Sequence, residues 1–261
     1  MQFPHIDPVF LRLGPLEFRW YGLMYILSFI AAYFLIRSGV RRKKLPLSQD
    51  DVADLLFVLA LGVILGGRFG YVLFYNLGYY ISQPLKIFAV WEGGMSFHGG
   101  FLGVICAAFW YSRKKKIGFL ELTDLCIITV PIGLGLGRLG NFINGELYGR
   151  VTSVPWGVIF PGGGPLPRHP SQLYEAILEG PLIFAVLWLL RRKERPTGVL
   201  FWTFIAMYGA ARSFVELFRE PDTQIGYLFG MLSMGQVLSL PMLLIGIAMI
   251  GAALRKGRKV S

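Results

Sequence analysis

Long apolar runs alternate along the chain with short basic or Gly/Pro-rich breaks, and the runs have the length of helices rather than strands. Seven of them suit the roughly 17–25 residues that a helix needs to cross a bilayer. They lie at about 20–36, 52–75, 96–111, 119–136, 171–190, 198–218 and 232–254. The third is short and the fifth opens with Glu175 and Glu179, so these two are the weakest spans. Gly62, Gly66 and Gly70 form a small-xxx-small ladder in the second run, repeated by Gly99 with Gly103 and by Gly133 with Gly137. Such spacing predicts close helix–helix approach in lipid.

Composition sharpens this picture. Apolar residues make up 54% of the 261 residues and charged ones only 16%, against about a quarter charged in a soluble domain. The expectation is an all-α polytopic integral membrane protein of about seven transmembrane helices, forming a single domain over 1–261. A Gly/Pro-rich external arm is expected near 141–170. The net charge of +11 is split into short clusters between apolar runs rather than spread over one face. That is a membrane pattern, and it argues against nucleic acid as a partner. Cys106 and Cys126 lie inside apolar runs and read as packing residues, with no metal-ligand spacing around them. The N-terminus lacks the basic stretch of a signal peptide, so the first run is read as a retained helix.

Charge then orients the spans. Seventeen of the 26 basic residues fall in four clusters after runs one, three, five and seven: 37–44, 113–116, 191–195 and 255–259. The intervening side keeps six: Arg12, Arg19, Lys86, Arg150, Arg168 and Arg219. The positive-inside rule places the C-terminus in the cytoplasm and the N-terminus outside.

The remaining arginines, Arg68, Arg138 and Arg212, fall near the outer ends of runs two, four and six. An ionisable residue inside a span costs roughly 2.5–3.5 kcal/mol on the translocon scale unless it is paired or faces a wet interior. A single arginine at a span end is accounted for by snorkelling; three on one leaflet favour a shared anion site. Tyr208, Arg212 and Glu216 recur at i, i+4 and i+8 on one helical face. His98 opens run three among glycines, and Tyr21 opens run one, where an aromatic otherwise reads as a belt residue. The densest segment, 133–150, reads G-L-G-L-G-R-L-G-N-F-I-N-G-E-L-Y-G-R. Its glycines admit a ligand close to the backbone. Arg138 offers a planar fork for phosphate, Asn141 and Asn144 add neutral polar contacts, and Glu146 either pairs with an arginine or accepts a proton. No G-K-S/T follows, which excludes a Walker-type loop.

These segments resemble the bacterial prolipoprotein diacylglyceryl transferases over nearly the whole chain. The resemblance is carried by R-W-Y-G-L-M-Y at 19–25, G-G-R-F-G-Y-V at 66–72 and G-G-M-S-F-H-G-G at 93–100. It continues with G-R-L-G-N-F-I-N-G-E-L-Y-G at 137–149, H-P-S-Q-L-Y-E at 169–175 and Y-G-A-A-R-S-F-V-E-L-F-R-E-P-D at 208–222. The resemblance implies transfer of the sn-1,2-diacylglyceryl group of phosphatidylglycerol to the lipobox cysteine of a prolipoprotein. A thioether forms and glycerol 1-phosphate leaves. It further implies a bacterial inner-membrane location, a site on the external face, and no cofactor or metal. By the same resemblance Arg138 is the lipid-binding arginine and Arg212 its partner, while Tyr21, His98, Asn141, Glu146, Gly149 and Glu216 match further functional positions. Arg68 and Tyr208 join Arg138, Asn141, Gly149 and Arg212 as expected substrate contacts. His98, Glu146 and Glu216 stand as alternative bases for the thiol.

Rival classes make different demands. A lipid transporter also uses intramembrane arginines but usually shows a duplicated half, and no internal repeat is visible. A purely structural protein has no need of three arginines on one leaflet. An intramembrane protease lacks its G-x-S-x-G or an aspartate pair here. Topology gives the first test. Reporter fusions after Lys44, Lys116, Arg195 and at the C-terminus are expected to read cytoplasm, and those within 76–94 and 151–170 outside. A cytoplasmic signal from 151–170 would overturn the orientation.

Overall fold

A computed structural model describes residues 1–4, 6–220, 227–228 and 232–258. Lys259 of the last basic cluster and Pro221 and Asp222 of the final motif lie outside the described residues. A hairpin of β1 (Val9–Leu13) and β2 (Leu16–Arg19) leads into α1 (Trp20–Lys43). There follow α2 (Gln49–Tyr75), the short α3 (Leu77–Ser82), α4 (Phe97–Lys114), α5 (Phe119–Cys126) and α6 (Val130–Ile143). Beyond the arm come α7 (Ser171–Ile177), α8 (Ile183–Leu190), α9 (Val199–Val215), the two-residue strands β3 (Tyr227–Leu228) and β4 (Leu232–Ser233), and α10 (Met234–Arg258).

Each of the seven expected runs is helical. A 3₁₀ turn, Ile127–Thr129, joins α5 to α6, and a π turn, Leu178–Leu182, joins α7 to α8. Among the described residues, five helical segments are long and apolar enough to cross a membrane: Trp20–Lys43, Gln49–Tyr75, Phe119–Ile143, Ser171–Leu190 and Met234–Gly257. Val199–Val215 is apolar but shorter, at 17 residues. The protein is therefore a mostly helical, multi-pass membrane protein. The β1–β2 hairpin was not expected; Gly14, with φ of +59°, makes its turn.

The chain divides into two compact units, Ile36–Leu125 on one hand and Met1–Leu35 with Cys126–Ser261 on the other. In the first, α2 and α4 are held together through the glycine ladder the sequence displays. A Cβ on Gly66 would stand 2.3 Å from the Gly99 carbonyl oxygen, and one on Gly62 would stand 2.7 Å from that of Gly103. Backbones this close pack by dispersion over main-chain atoms, which no other residue permits. Ser48 starts α2 with a reciprocal capping box to Asp51, and the Ser96 hydroxyl caps α4 by accepting from the Gly99 amide at 3.2 Å.

In the second unit, Ile127, Ile128, Ile183, Leu187, Leu200 and Phe204 form a buried cluster. The expected Gly133/Gly137 contact is not made among the described residues: a Cβ on Gly133 would meet only Ser28, at 3.9 Å, and one on Gly137 would meet nothing within 4 Å. Close approach occurs instead on the face of Gly135, where a Cβ would lie 3.1 Å from the Gly180 Cα. The i, i+4 spacing read from sequence was real, but α6 turns a different glycine, Gly135, to its neighbour. The arm over 144–170 is ordered by isolated bridges, Gln2 with Ile159 and Val151 and Val158 with Arg168. Phe3, Val158 and Phe160 form its small core against Phe142 and Tyr148.

Gly66→Ala tests the ladder. The added methyl meets main chain, which cannot yield as a side chain tip can, and overpacking of this kind costs about 1–3 kcal/mol. A lower thermal midpoint in detergent is expected, with a smaller loss for Gly137→Ala; equal midpoints for both variants would refute the packing account.

Candidate active site

An arginine–glutamate cluster occupies the interior of the unit that contains α6 to α10. Glu175 on α7 is its centre: it is 1% exposed and takes three arginines. Arg138 of α6 approaches its Oε2 through Nε at 3.2 Å, Arg212 of α9 pairs with its Oε1, and Arg219 stands 3.9 Å from the same oxygen. Arg212 turns its other terminal nitrogen to Glu216, Nη2 to Oε1 at 2.5 Å, and Arg219 also reaches Glu216 at 3.9 Å. Glu179, wholly buried, lies 3.5 Å from the Arg138 Nε. Among the described residues, three guanidiniums thus face three carboxylates. Each charge removed from water is expensive, and opposite partners at contact distance offset that cost.

The local sequence explains the geometry. Glu175 and Glu179 are one helical turn apart and so share a face. Pro181 supplies no amide for an α-helical hydrogen bond, and the chain widens there into a π turn of the kind often found at functional sites. Gly135 and Gly180 let α6 and this turn meet at backbone distance. The second oxygen of Glu216 accepts from the Ser233 hydroxyl at 2.7 Å, and Gly235 leaves room beside it, since a Cβ there would stand 2.4 Å from Oε1.

The end of α6 forms a second, polar region. Asn141 and Asn144 donate their side-chain amides to Glu146 Oε1 at 2.9 and 3.2 Å. Gly145 and Leu147 both have positive φ, +68° and +58°. At Leu147, a branched residue, this is backbone strain of the sort concentrated at functional sites. Gln172 Nε2 donates to the Glu146 carbonyl at 2.5 Å and Ser171 to that of Leu147 at 3.1 Å, which fixes the turn onto α7. Tyr21 packs its ring on Gly140, its hydroxyl lies 3.3 Å from that of Tyr25, and it feels the charges of Glu146 and Arg138. Tyr208 likewise interacts with Glu179, Arg212, Arg138 and Glu175. Gly149 bridges to Arg219, where any Cβ would strike the Phe218 carbonyl at 2.3 Å. His169 packs on the same glycine, and partial burial lowers the pKa of its imidazole below the ordinary value.

Eight of the ten expected site residues therefore belong to this unit: Tyr21, Arg138, Asn141, Glu146, Gly149, Tyr208, Arg212 and Glu216. The other two lie in the unit of α2 to α5. His98 sits exposed in the first turn of α4. Arg68, expected as a substrate contact, has a different set of partners. Its Nε donates to the Ile87 carbonyl at 2.7 Å, Nη1 to Gly93 and Gly94 at 2.5 and 3.1 Å, and Nη2 to Lys86 and Ala89 at 2.6 and 3.0 Å. All five N–H groups of a guanidinium are then used. Arg68 is a buried staple for the segment 86–94, and the sequence reading missed this because carbonyl partners leave no mark in sequence.

Glu175, Glu179 and Arg219 were missed as site residues. The signal was present: acidic side chains inside an apolar run meet the same cost argument that singled out the arginines. Ser233 and Gly235 carry no comparable mark.

Fold and site together define a multi-pass membrane protein with a charge-balanced arginine–glutamate cluster buried among its helices. Its particular kind follows from comparison. The sequence model of the family described as prolipoprotein diacylglyceryl transferase matches residues 8–252, so the chain belongs to that family. A protein of Geobacter sulfurreducens named phosphatidylglycerol–prolipoprotein diacylglyceryl transferase is 69% identical over 260 residues, covering 100% of this chain and 99% of its own. Proteins of the same name from Pseudoalteromonas atlantica and Vibrio cholerae are 55% and 52% identical, covering 98% of this chain and 92% and 95% of theirs.

Arg68→Lys separates staple from ligand. One ammonium cannot replace a fork that serves five carbonyls, and buried acceptors left unpaired cost about 1–3 kcal/mol each. A marked loss of thermal stability is expected, while the folded fraction keeps its preference for an anionic over a zwitterionic lipid. Loss of that preference would return Arg68 to the anion site.

Proposed function

We propose that this protein transfers the sn-1,2-diacylglyceryl group of phosphatidylglycerol to the lipobox cysteine of prolipoproteins, the first step of bacterial lipoprotein maturation. The observation that carries the reading is the buried arginine–glutamate cluster, in a chain that belongs throughout to a family of this activity. The bacterial inner membrane is its location, with the site toward the external face, as the distribution of basic residues suggests.

The chemistry follows from the donors present. The cysteine sulfur forms a bond to the glycerol carbon that carries the phosphate, and that carbon's bond to oxygen breaks. Glycerol 1-phosphate leaves with the electron pair, and the thiol proton passes to a base. His98, Glu146 and Glu216 are the bases proposed from sequence; Glu146 is the more exposed of the two glutamates and Glu216 is buried against Arg212. Charge grows on the departing phosphate, and guanidiniums in a site poor in water stabilise it more than they would in bulk solvent.

The two central arginines have different parts. Arg212 uses both terminal nitrogens on Glu175 and Glu216. Among the described residues Arg138 meets carboxylates only through Nε, which leaves its Nη1 and Nη2 edge for two phosphate oxygens. Arg138 is thus the bidentate phosphate ligand, and Arg212 orders the carboxylates behind it and shares in stabilising the leaving group. Asn141, Tyr21, Tyr208 and Gly149 shape the surrounding surface.

Purified protein is to be incubated with phosphatidylglycerol vesicles and a lipobox peptide. A peptide mass gain of one diacylglyceryl unit is expected; lipid redistribution without that gain would indicate a transporter and sink the proposal. A lysine lacks the planar fork, so Arg138→Lys and Arg212→Lys are expected to remain in the membrane and lose at least about a hundredfold in transfer, the scale of a lost charge-stabilising donor. Both act on one developing charge, so the double variant is expected to lose far less than the product of the single losses. Full transfer by both lysine variants at equal protein level would return these residues to snorkelling.

A further inference from the structure

The six members of the cluster are not equally shared. Glu175 serves Arg138, Arg212 and Arg219, and Glu216 serves Arg212, Arg219 and the Ser233 hydroxyl. Glu179 has one partner within ion-pair distance. Its Oε2 lies 3.5 Å from the Arg138 Nε, and among the described residues no donor reaches hydrogen-bond geometry at either oxygen, although the residue is 0% exposed. A buried carboxylate so thinly paired costs stability, because the desolvation of the ion is not offset by several donors. Such a residue is expected to persist only where it does something else.

What it does follows from which atom it faces. Glu175 and Glu179 both lie on the Nε side of Arg138, with Oε2 atoms at 3.2 and 3.5 Å from that nitrogen. A guanidinium is planar, so a grip at Nε fixes the direction of the opposite edge, where Nη1 and Nη2 can meet an anion side by side. One carboxylate alone holds a point and leaves the group free to pivot; two carboxylates from successive helical turns constrain it. The π turn that begins at Leu178 and the Gly135–Gly180 contact press Glu179 toward α6 and supply the second negative charge.

We infer that Glu179 is a dedicated positioning residue for Arg138, holding the guanidinium by Nε so that its free edge meets the phosphodiester of the anionic lipid. The inference rests on the transferase reading, and adds that lipid capture depends on a second-turn carboxylate that touches no substrate. A positioning residue of this kind works on lipid binding rather than on the bond-making step, and because its 3.5 Å contact is an ion pair without hydrogen-bond geometry, its requirement is the negative charge beside Nε.

Two near-isosteric variants separate these demands. Glu179→Leu fills the volume without an acceptor, and Glu179→Gln keeps an acceptor oxygen without the charge. Transfer to a lipobox peptide is to be followed against phosphatidylglycerol concentration in mixed micelles, with the thermal midpoint of each protein measured alongside. The expected result for the leucine variant is an apparent KM for phosphatidylglycerol raised at least about tenfold with kcat within about threefold. Glutamine keeps the shape and polarity but not the charge, so it is expected to raise the KM as well, at least about fivefold. Unchanged KM in the leucine variant overturns the inference, as does a collapse of kcat in both variants at unaltered KM, which would mark Glu179 as a proton carrier. A glutamine variant with KM within about threefold of the wild type overturns it too, by showing that the charge beside Nε is not what holds Arg138. If the leucine variant does not fold, the glutamine variant decides: a KM within about threefold of the wild type rejects the inference, and a larger rise supports it. Lack of transfer by the wild-type protein in the same assay would instead reject the transferase reading itself.

Discussion

Charge balance at Glu175 is the constraint on which the interior of the larger unit depends. Three arginines and three glutamates from α6, α7 with its π turn, α9 and the segment after α9 are gathered where water is scarce. Pairing such groups offsets the cost of burying them but does not by itself make a protein more stable than apolar packing would. Removing one member leaves another uncompensated. The cluster therefore holds these helices together and ties the stability of the unit to the integrity of the site.

Glycine supports this arrangement in two distinct ways. Between α2 and α4 it removes side chains so that backbones touch, and the interface is built from main-chain atoms. Around the cluster it removes side chains so that charged groups fit: Gly135 and Gly180 bring the π turn onto α6, Gly235 clears the Glu216 carboxylate, and Gly149 admits the chain after α9. Arg68 shows a third solution to the problem of burying charge. Its guanidinium satisfies five backbone carbonyls and holds a loop in place of a ligand.

Much of this was legible in the sequence. Apolar length gave the helical runs, because bilayer thickness and helical rise fix how many residues a span needs. The small-xxx-small spacing of Gly62, Gly66 and Gly70, and of Gly99 with Gly103, does mark close helix approach, and the structure shows that these two ladders meet each other. Intramembrane cost marked Arg138 and Arg212, and the i+4 step marked Glu216, which does pair with Arg212. Motif resemblance supplied the family, which comparison then showed.

The sequence by itself thus determined the medium, the helices and the identity of most charged side chains, since each follows from local composition and spacing. Only tertiary structure decided which charges face one another. Arg68 and Arg138 look alike as arginines among glycines, yet one is saturated by carbonyls brought from 18 to 26 residues away and the other, among the described residues, meets carboxylates only through Nε. Glu175 and Glu179 looked like defects in a weak span until α6 and α9 came alongside. Periodicity records the face on which a side chain lies; the partner across that face is set by how helices pack, and packing is a property of the whole chain.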